Sequence, residues 1–190
     1  GAMADGLPIP EVDTASGRIA PARWVPSPNE GPRPPGCGLE LIVLHAISLP
    51  PGVFGGGWID RLFTNRLPPD AHPAFREIAA LRVSAHALID RDGALTQYVP
   101  LHRRAWHAGR SRYAGRSECN DFSVGIELEG DEVTPYTPAQ YASLAGLLRA
   151  LRGAYPGLAQ APVVGHSDIA PARKTDPGPA FDWARLRAAL

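Results

Sequence analysis

Two of the six histidines in this 190-residue chain sit where α/β proteins commonly do chemistry. His45 falls near the end of Glu40-Leu-Ile-Val-Leu-His-Ala-Ile47, and His166 closes Pro162-Val-Val-Gly-His166. Both runs are short, apolar and β-branched, the pattern of buried strands. Their imidazoles are therefore expected at C-terminal strand ends, where open α/β sheets place their sites. Asp176 follows in Lys174-Thr-Asp-Pro-Gly178. Two imidazoles and one carboxylate suffice to bind a catalytic zinc and leave its fourth position open to water. Asp168 competes with Asp176 for the acidic place, and it equally suits a loop cap or a group that orients an imidazole. A His45 that is merely buried and hydrogen-bonded satisfies the same pattern.

Glu127 is the best general-base candidate. It stands on the polar side of Asp121-Phe-Ser-Val-Gly-Ile-Glu-Leu-Glu129, where desolvation would raise its pKa toward the working range. Spacing alone fits a solvated Glu127–Glu129 face slightly better. Lys174 could stabilise a developing oxyanion; without further information the surface-lysine reading is preferred.

The elements that must position these residues follow from periodicity and punctuation. Residues 5–38, rich in Pro, Gly and Ser, read as an extended arm over the domain surface. Gly1 to Ala4 reads as a tag-cleavage scar, and the domain proper is placed at residues 21–190. After the strand at 40–47, Pro-Pro-Gly and Gly-Gly-Gly mark a loop over 48–57. Trp58–Phe63 is a short amphipathic helix candidate. Val83–Ile89 and Ala94–Val99 form a hairpin across Asp92-Gly93. Residues 100–120, with Trp106, His107 and Tyr113, make a long loop of the kind that binds something. In 121–129, Phe122, Val124, Ile126 and Leu128 face one way. The longest helix starts with Thr137 as N-cap, Pro138 at the first helical position and Gln140 completing a capping box. Its apolar face is Tyr141, Leu144, Leu147, Leu148 and Leu151. A polar loop over 167–179 and a helix over 181–190 end the chain. This order predicts one α/β domain, a mixed β-sheet flanked by α-helices.

Composition narrows the function. The chain is 44% hydrophobic and 20% charged, a globular balance, and its 20 Gly and 21 Pro predict abundant loops. Lys+Arg and Asp+Glu are both 19, so there is no basic footprint for nucleic acid or an anionic membrane surface. No apolar run is long enough to span a bilayer. Cys37 and Cys119 read as free thiols, since two cysteines build no disulfide framework and neither has metal-site spacing. With no charged region followed by an apolar run near the start of the sequence, a cytoplasmic location is expected, and a monomer.

Six motifs occur together and in order: Leu44-His-Ala-Ile-Ser-Leu-Pro-Pro-Gly52, Val83-Ser-Ala-His-Ala-Leu-Ile89, Arg104-Ala-Trp-His-Ala-Gly109, Cys119-Asn-Asp-Phe-Ser-Val-Gly-Ile-Glu-Leu-Glu-Gly130, Gly165-His-Ser-Asp-Ile-Ala-Pro171 and Arg173-Lys-Thr-Asp-Pro-Gly178. With these the chain closely resembles, over residues 20–190, the zinc amidases shared with bacteriophage lysozyme-type amidases and peptidoglycan recognition proteins. The resemblance implies an amidase-like fold with one zinc on His45, His166 and Asp176. It implies Glu127 as the base that activates water and Lys174 as a transition-state stabiliser. It places Trp106 and Tyr113 in the substrate-binding loop, and keeps His86 and His107 off the metal, His107 as a cleft-lining residue. The implied reaction is hydrolysis of the amide between the lactyl group of 1,6-anhydro-N-acetylmuramic acid and L-alanine of the stem peptide, in peptidoglycan recycling. An anhydro-muropeptide carries several carboxylates, so Arg82, Arg116 and Arg173 are candidate substrate contacts. Two positions depart from the family pattern: Ala46 stands where Asn is common, and Ser167 where Cys is common. Non-catalytic peptidoglycan binders of the same fold lose a zinc ligand, whereas this chain keeps all three. An envelope amidase acting on intact murein is the other alternative.

Overall fold

The structure, a computed structural model, describes residues 2–4 and 6–190. Gly1, in the stretch read as a tag scar, and Asp5, where the arm was expected to begin, lie outside the described residues. In chain order the short strands Met3–Ala4 (β1), Leu7–Pro8 (β2), Glu11–Asp13 (β3), Arg18–Ala20 (β4), Arg23–Trp24 (β5) and Glu30–Gly31 (β6) precede the long strand Leu41–Ile47 (β7). Helix Trp58–Phe63 (α1) leads to Ala87–Ile89 (β8), Leu95–Gln97 (β9), Arg104–Ala105 (β10), Arg112–Tyr113 (β11) and Arg116–Ser117 (β12). Then come the second long strand Ser123–Glu129 (β13), helix Pro138–Ala154 (α2), strand Val163–Gly165 (β14), and helices His166–Ile169 (α3) and Trp183–Ala189 (α4).

Six strands form the central sheet in the order β14-β7-β13-β8-β9-β5. β14, β7, β13 and β8 run parallel, β9 is antiparallel to β8, and β5 is parallel to β9. The sheet is therefore mixed, as expected. Its parallel centre is covered on both faces, which is why every residue of β13 is buried. One face, built by Ile42, Leu44, Val124, Ile126 and Leu128, packs on Tyr141, Leu144, Leu147, Leu148 and Leu151 of α2. The opposite face carries Leu41 and Val43 against Ala108, Cys119 and Phe122. Phe122 thus leaves the row predicted for it: it precedes the strand, with φ −130° and ψ 15°, and its side chain joins the other face.

Helix α2 starts as its sequence dictates. Thr137 Oγ1 accepts from Gln140 N–H at 3.1 Å, and Gln140 Oε1 accepts from Thr137 N–H at 3.0 Å. Thr137 Oγ1–H also donates to the Arg91 carbonyl at 2.6 Å, tying the helix to the β8–β9 turn. Thr137→Ala is expected to cost about 1 kcal/mol of stability from the lost cap, read as a lower denaturant midpoint with an unchanged slope.

The segment read as an extended arm is woven into the domain. Ile19 is buried in the core facing α2, and its N–H donates to Gln97 Oε1 at 2.8 Å. Arg23–Trp24 adds the edge strand of the main sheet, and Glu30–Gly31 pairs with Arg104–Ala105. The strand expected at Val83–Ile89 is ladder only from Ala87, because the 83–86 segment turns to meet the loop carrying Trp106: Ser84 N–H donates to the Trp106 carbonyl at 3.0 Å. Both cysteines are free, Cys119 buried and Cys37 half-buried. Among the described residues no helix is long and apolar enough to cross a membrane.

Candidate metal centre and active site

Sheet register assembles the site. In the parallel pair β13/β7, Glu127 stands beside His45, and in β14/β7, Gly165 stands beside Leu44. Three neighbouring strands therefore present Glu127, His45 and His166 at nearly one level. His166 is the first residue of α3, not the last of the strand, so the loop expected from Ser167 begins with one helical turn. Asp168 caps that turn: its Oδ2 accepts from Gly165 N–H at 2.7 Å, and it takes no part in the site. Asp176 is brought in by the returning chain. Its carbonyl accepts from Ser167 N–H at 3.0 Å, and its Oδ2 accepts from Ala46 N–H at 3.2 Å.

His45 Nδ1 lies 3.0 Å from His166 Nδ1 and 3.3 Å from Asp176 Oδ2, and His166 Nδ1 lies 3.3 Å from Asp176 Oδ1. All three residues are buried. Tetrahedral ligands with bonds of about 2.0–2.1 Å stand about 3.4 Å apart; one ligand atom from each of the three residues lies within 4.8 Å of the other two, close enough to converge on a single ion. Proton bookkeeping agrees. His166 Nε2 is 3.0 Å from the Ala108 carbonyl, which can only accept. Nε2 therefore carries the hydrogen, and Nδ1 offers a lone pair. Burial pushes His45 down to about 4, against the pull of Asp176, so this imidazole is neutral near pH 7. Burial also opposes ionisation of Asp176, but the close approach of His166 and His45 outweighs that and holds it below the usual carboxylate range. Lone-pair donors converging on one point, with a carboxylate among them, form a buried site suited to a metal ion.

Glu127 is buried, 7% exposed, with Oε1 3.6 Å from His45 Nδ1. Burial raises its pKa well above the ordinary value; the negative charge of Asp176 adds to this and Lys174 opposes it. The solvated face that spacing slightly favoured does not exist. Glu129 is buried too, its Oε2 accepting from Gly55 N–H at 2.7 Å and its Oε1 from Arg91 N–H at 3.1 Å. It pins two loops, whereas the Glu127 carboxylate faces the cage.

A cleft of about 440 Å³ opens over these residues. Lys174, Thr175 and Glu132 line one side, and Trp106, Leu62, Phe63, Leu81 and Val83 supply apolar wall. Trp106 is clamped by Ser84, whose Oγ accepts from Trp106 N–H at 3.0 Å. His107 lines the cleft as expected, while His86 is core: its Nδ1 accepts from Gly125 N–H at 3.1 Å and its Nε2 contacts the Arg103 carbonyl at 2.8 Å.

The other expected substrate contacts separate. Arg173 lines the cleft, with its Nη2 donating to the carbonyls of Ala108 and Arg110 at 2.8 and 2.9 Å. Arg82 does not line it: its exposed guanidinium donates to the Ala80 carbonyl at 3.1 Å, while its neighbours Leu81 and Val83 line the cleft. Arg116 pairs with Glu40 and stacks 3.8 Å over the Phe122 ring, outside the cleft. Tyr113, on the β11–β12 hairpin, packs on the Leu41–Cys119 cluster and does not line the cleft. Tyr113 and Arg116 share one cause: their hairpin packs its side chains on the Leu41–Cys119 cluster and the Phe122 ring, outside the cleft. The α1 wall and Glu132 were missed. Helical spacing marked Leu62 and Phe63 as apolar, but nothing in it showed what that face would line.

The model of the Amidase_2 family, N-acetylmuramoyl-L-alanine amidase, matches residues 36–179, the span that contains every residue of the cage. The chain belongs to this amidase family. The 1,6-anhydro-N-acetylmuramyl-L-alanine amidase AmpD of Escherichia coli K12 is 61% identical over 171 residues, covering 90% of this chain and 93% of the relative. A crystal structure of AmpD superposes with a TM-score of 0.90 at 57% identity, covering 94% of this chain and 98% of that one. A more distant amidase, AmiD from E. coli, superposes with a TM-score of 0.57 at 29% identity over 80% of this chain and 57% of that one. That structure is a complex with the substrate anhydro-N-acetylmuramic acid-L-Ala-D-γ-Glu-L-Lys.

Proposed function

We propose that this amidase uses zinc to hydrolyse the amide between the lactyl group of 1,6-anhydro-N-acetylmuramic acid and L-alanine of the stem peptide, as a monomeric cytoplasmic enzyme of peptidoglycan recycling. The observation that carries the reading is the buried His45–His166–Asp176 cage with the Glu127 carboxylate beside it. The close likeness to AmpD supports the substrate.

When bound on these three residues, zinc supplies Lewis acidity, acidifying water and polarising a carbonyl oxygen. Glu127 accepts the proton of the attacking water, aided by the environment that raises its pKa. The same carboxyl then returns a proton to the departing L-alanine nitrogen, which leaves as an amine. Lys174, on the cleft wall, offers a positive charge to the oxygen that becomes negative as the carbonyl turns tetrahedral. Trp106, whose backbone N–H is held by Ser84, gives the sugar ring an apolar surface.

Trp106→Ala is expected to lower kcat/KM roughly tenfold, equivalent to ~1.4 kcal/mol of lost binding, with an unchanged melting temperature. An unchanged kcat/KM removes Trp106 from the site, and a collapsed melting temperature makes it core. The substrate assignment is tested by mass spectrometry of parallel digests of an anhydro-muropeptide and the matching reducing-end muropeptide. The expected result is faster cleavage of the anhydro form. Equal rates would instead favour an amidase for intact murein.

A further inference from the structure

Behind the face that His45 turns to the cage lies a row of buried polar groups that the reaction above leaves unused. His45 Nε2 is 2.9 Å from His107 Nδ1, and His107 Nε2 is 2.9 Å from Ser123 Oγ. His45, His107 and Ser123 are 2%, 9% and 0% exposed. The His107 ring rests on Gly125, where an added Cβ would meet ring atoms at 2.4–2.6 Å. Glycine weakens the interior of a strand and marks the close approach of another group; here that group is the imidazole. The backbone carrying the ring is fixed as well, since the N–H groups of His107 and Ala108 both donate to Asn120 Oδ1, at 3.1 and 2.8 Å.

We propose that His107, seated on Gly125 and backed by Ser123, is a positioning residue that holds His45 in the tautomer whose Nδ1 lone pair faces the metal. The proposal rests on the zinc reading above. A neutral imidazole has one N–H and one lone pair, so the row has two self-consistent arrangements. In the first, His45 Nε2–H donates to His107 Nδ1 and His107 Nε2–H donates to Ser123 Oγ; His45 Nδ1 is then free to ligate. In the second, Ser123 Oγ–H donates to His107 Nε2, His107 Nδ1–H donates to His45 Nε2, and His45 Nδ1–H points at Asp176 Oδ2, 3.3 Å away. The second arrangement blocks the cage. Passing between them changes both tautomers and turns the serine hydroxyl, with no change of charge. His166 has a simpler arrangement, because the Ala108 carbonyl permits only one tautomer. His45 instead depends on what stands behind His107.

The test combines metal affinity with a spectroscopic signature. Zinc affinity is measured by competition with a chromophoric chelator for wild type, His107→Leu, His107→Asn and Ser123→Ala. Loss of such an orienting partner weakens metal binding about 10–100-fold. That loss is expected for His107→Leu, with much of it restored in His107→Asn, whose Oδ1 can take the acceptor place of Nδ1. Ser123→Ala is expected to lose less, about threefold to tenfold. In zinc-loaded wild type with ¹⁵N-labelled histidine, the His45 proton should sit on Nε2 and show coupling across the hydrogen bond to His107 Nδ1. A folded His107→Leu with zinc affinity within about twofold of wild type overturns the proposal, and so does a wild-type His45 proton on Nδ1 in the zinc form. Should His107→Leu fail to fold, unchanged affinity in Ser123→Ala together with a lone pair on His107 Nε2 overturns it equally. Absence of zinc binding by wild type would defeat the zinc reading itself, and wild-type binding shared by every variant would defeat only the relay.

Discussion

Glu127→Gln is expected to lower kcat by about 10²–10⁴-fold, the contribution typical of a positioned general base, while the protein keeps its zinc. Gln matches Glu in size but cannot accept the proton. The three cage residues are untouched, and the carboxylate acts on water, not on sugar or peptide, so KM should change by less than about threefold. Glu129→Gln is the informative control because its carboxylate has a different task. Both its oxygens accept backbone N–H groups, from Gly55 and Arg91. The amide keeps only one acceptor oxygen and sets an NH₂ against the other donor. A stability loss of about 1–3 kcal/mol is expected, with kcat near wild type. Steady-state kinetics, metal analysis and thermal melts separate the two variants. A crippled but stable Glu129→Gln beside an active Glu127→Gln would move the base to the other carboxylate.

His166→Ala should empty the cage. It removes one of three converging atoms and the N–H that fixes the ring on the Ala108 carbonyl. Zinc affinity should fall by more than about 100-fold, beyond the loss of a merely orienting partner, and activity should fall with it. Added zinc stabilises the folded state according to its affinity for that state, so zinc should raise the melting temperature of wild type and leave that of His166→Ala unmoved. Full zinc occupancy in both His45→Ala and His166→Ala contradicts the cage.

The elements with strong local signals were legible in the sequence. Leu41–Ile47 declared itself by an apolar run interrupted only by His45, and α2 by its capping box and the spacing from Tyr141 to Leu151. The two-residue and three-residue strands near the N-terminus were not legible, since nothing that short has a period. Their places come from distant partners, such as Gln97 accepting from Ile19 N–H. At the site, strand ends marked His45 and His166, and only the family resemblance singled out Asp176 over Asp168 and Glu127 as the base; the meeting of the four depends on strand register, which is a tertiary fact. Glu129 misled because a charge on the polar side of a strand reads as solvated until the covering loops are known. Arg116 and Tyr113 misled because the direction of a hairpin cannot be read from its residues. His107 was visible as a cleft residue, yet its position behind His45 emerges only when its ring is found on Gly125.

The central claim is that the cage and Glu127 deliver water to the lactyl carbonyl. Hydrolysis of an anhydro-muropeptide in H₂¹⁸O by the zinc-loaded enzyme, with products resolved by mass spectrometry, tests it most directly. One ¹⁸O is expected in the lactyl carboxylate of the released sugar, together with an unlabelled peptide beginning with a free L-alanine amine. Label in the peptide product, or no cleavage by protein shown to hold one zinc, would contradict it.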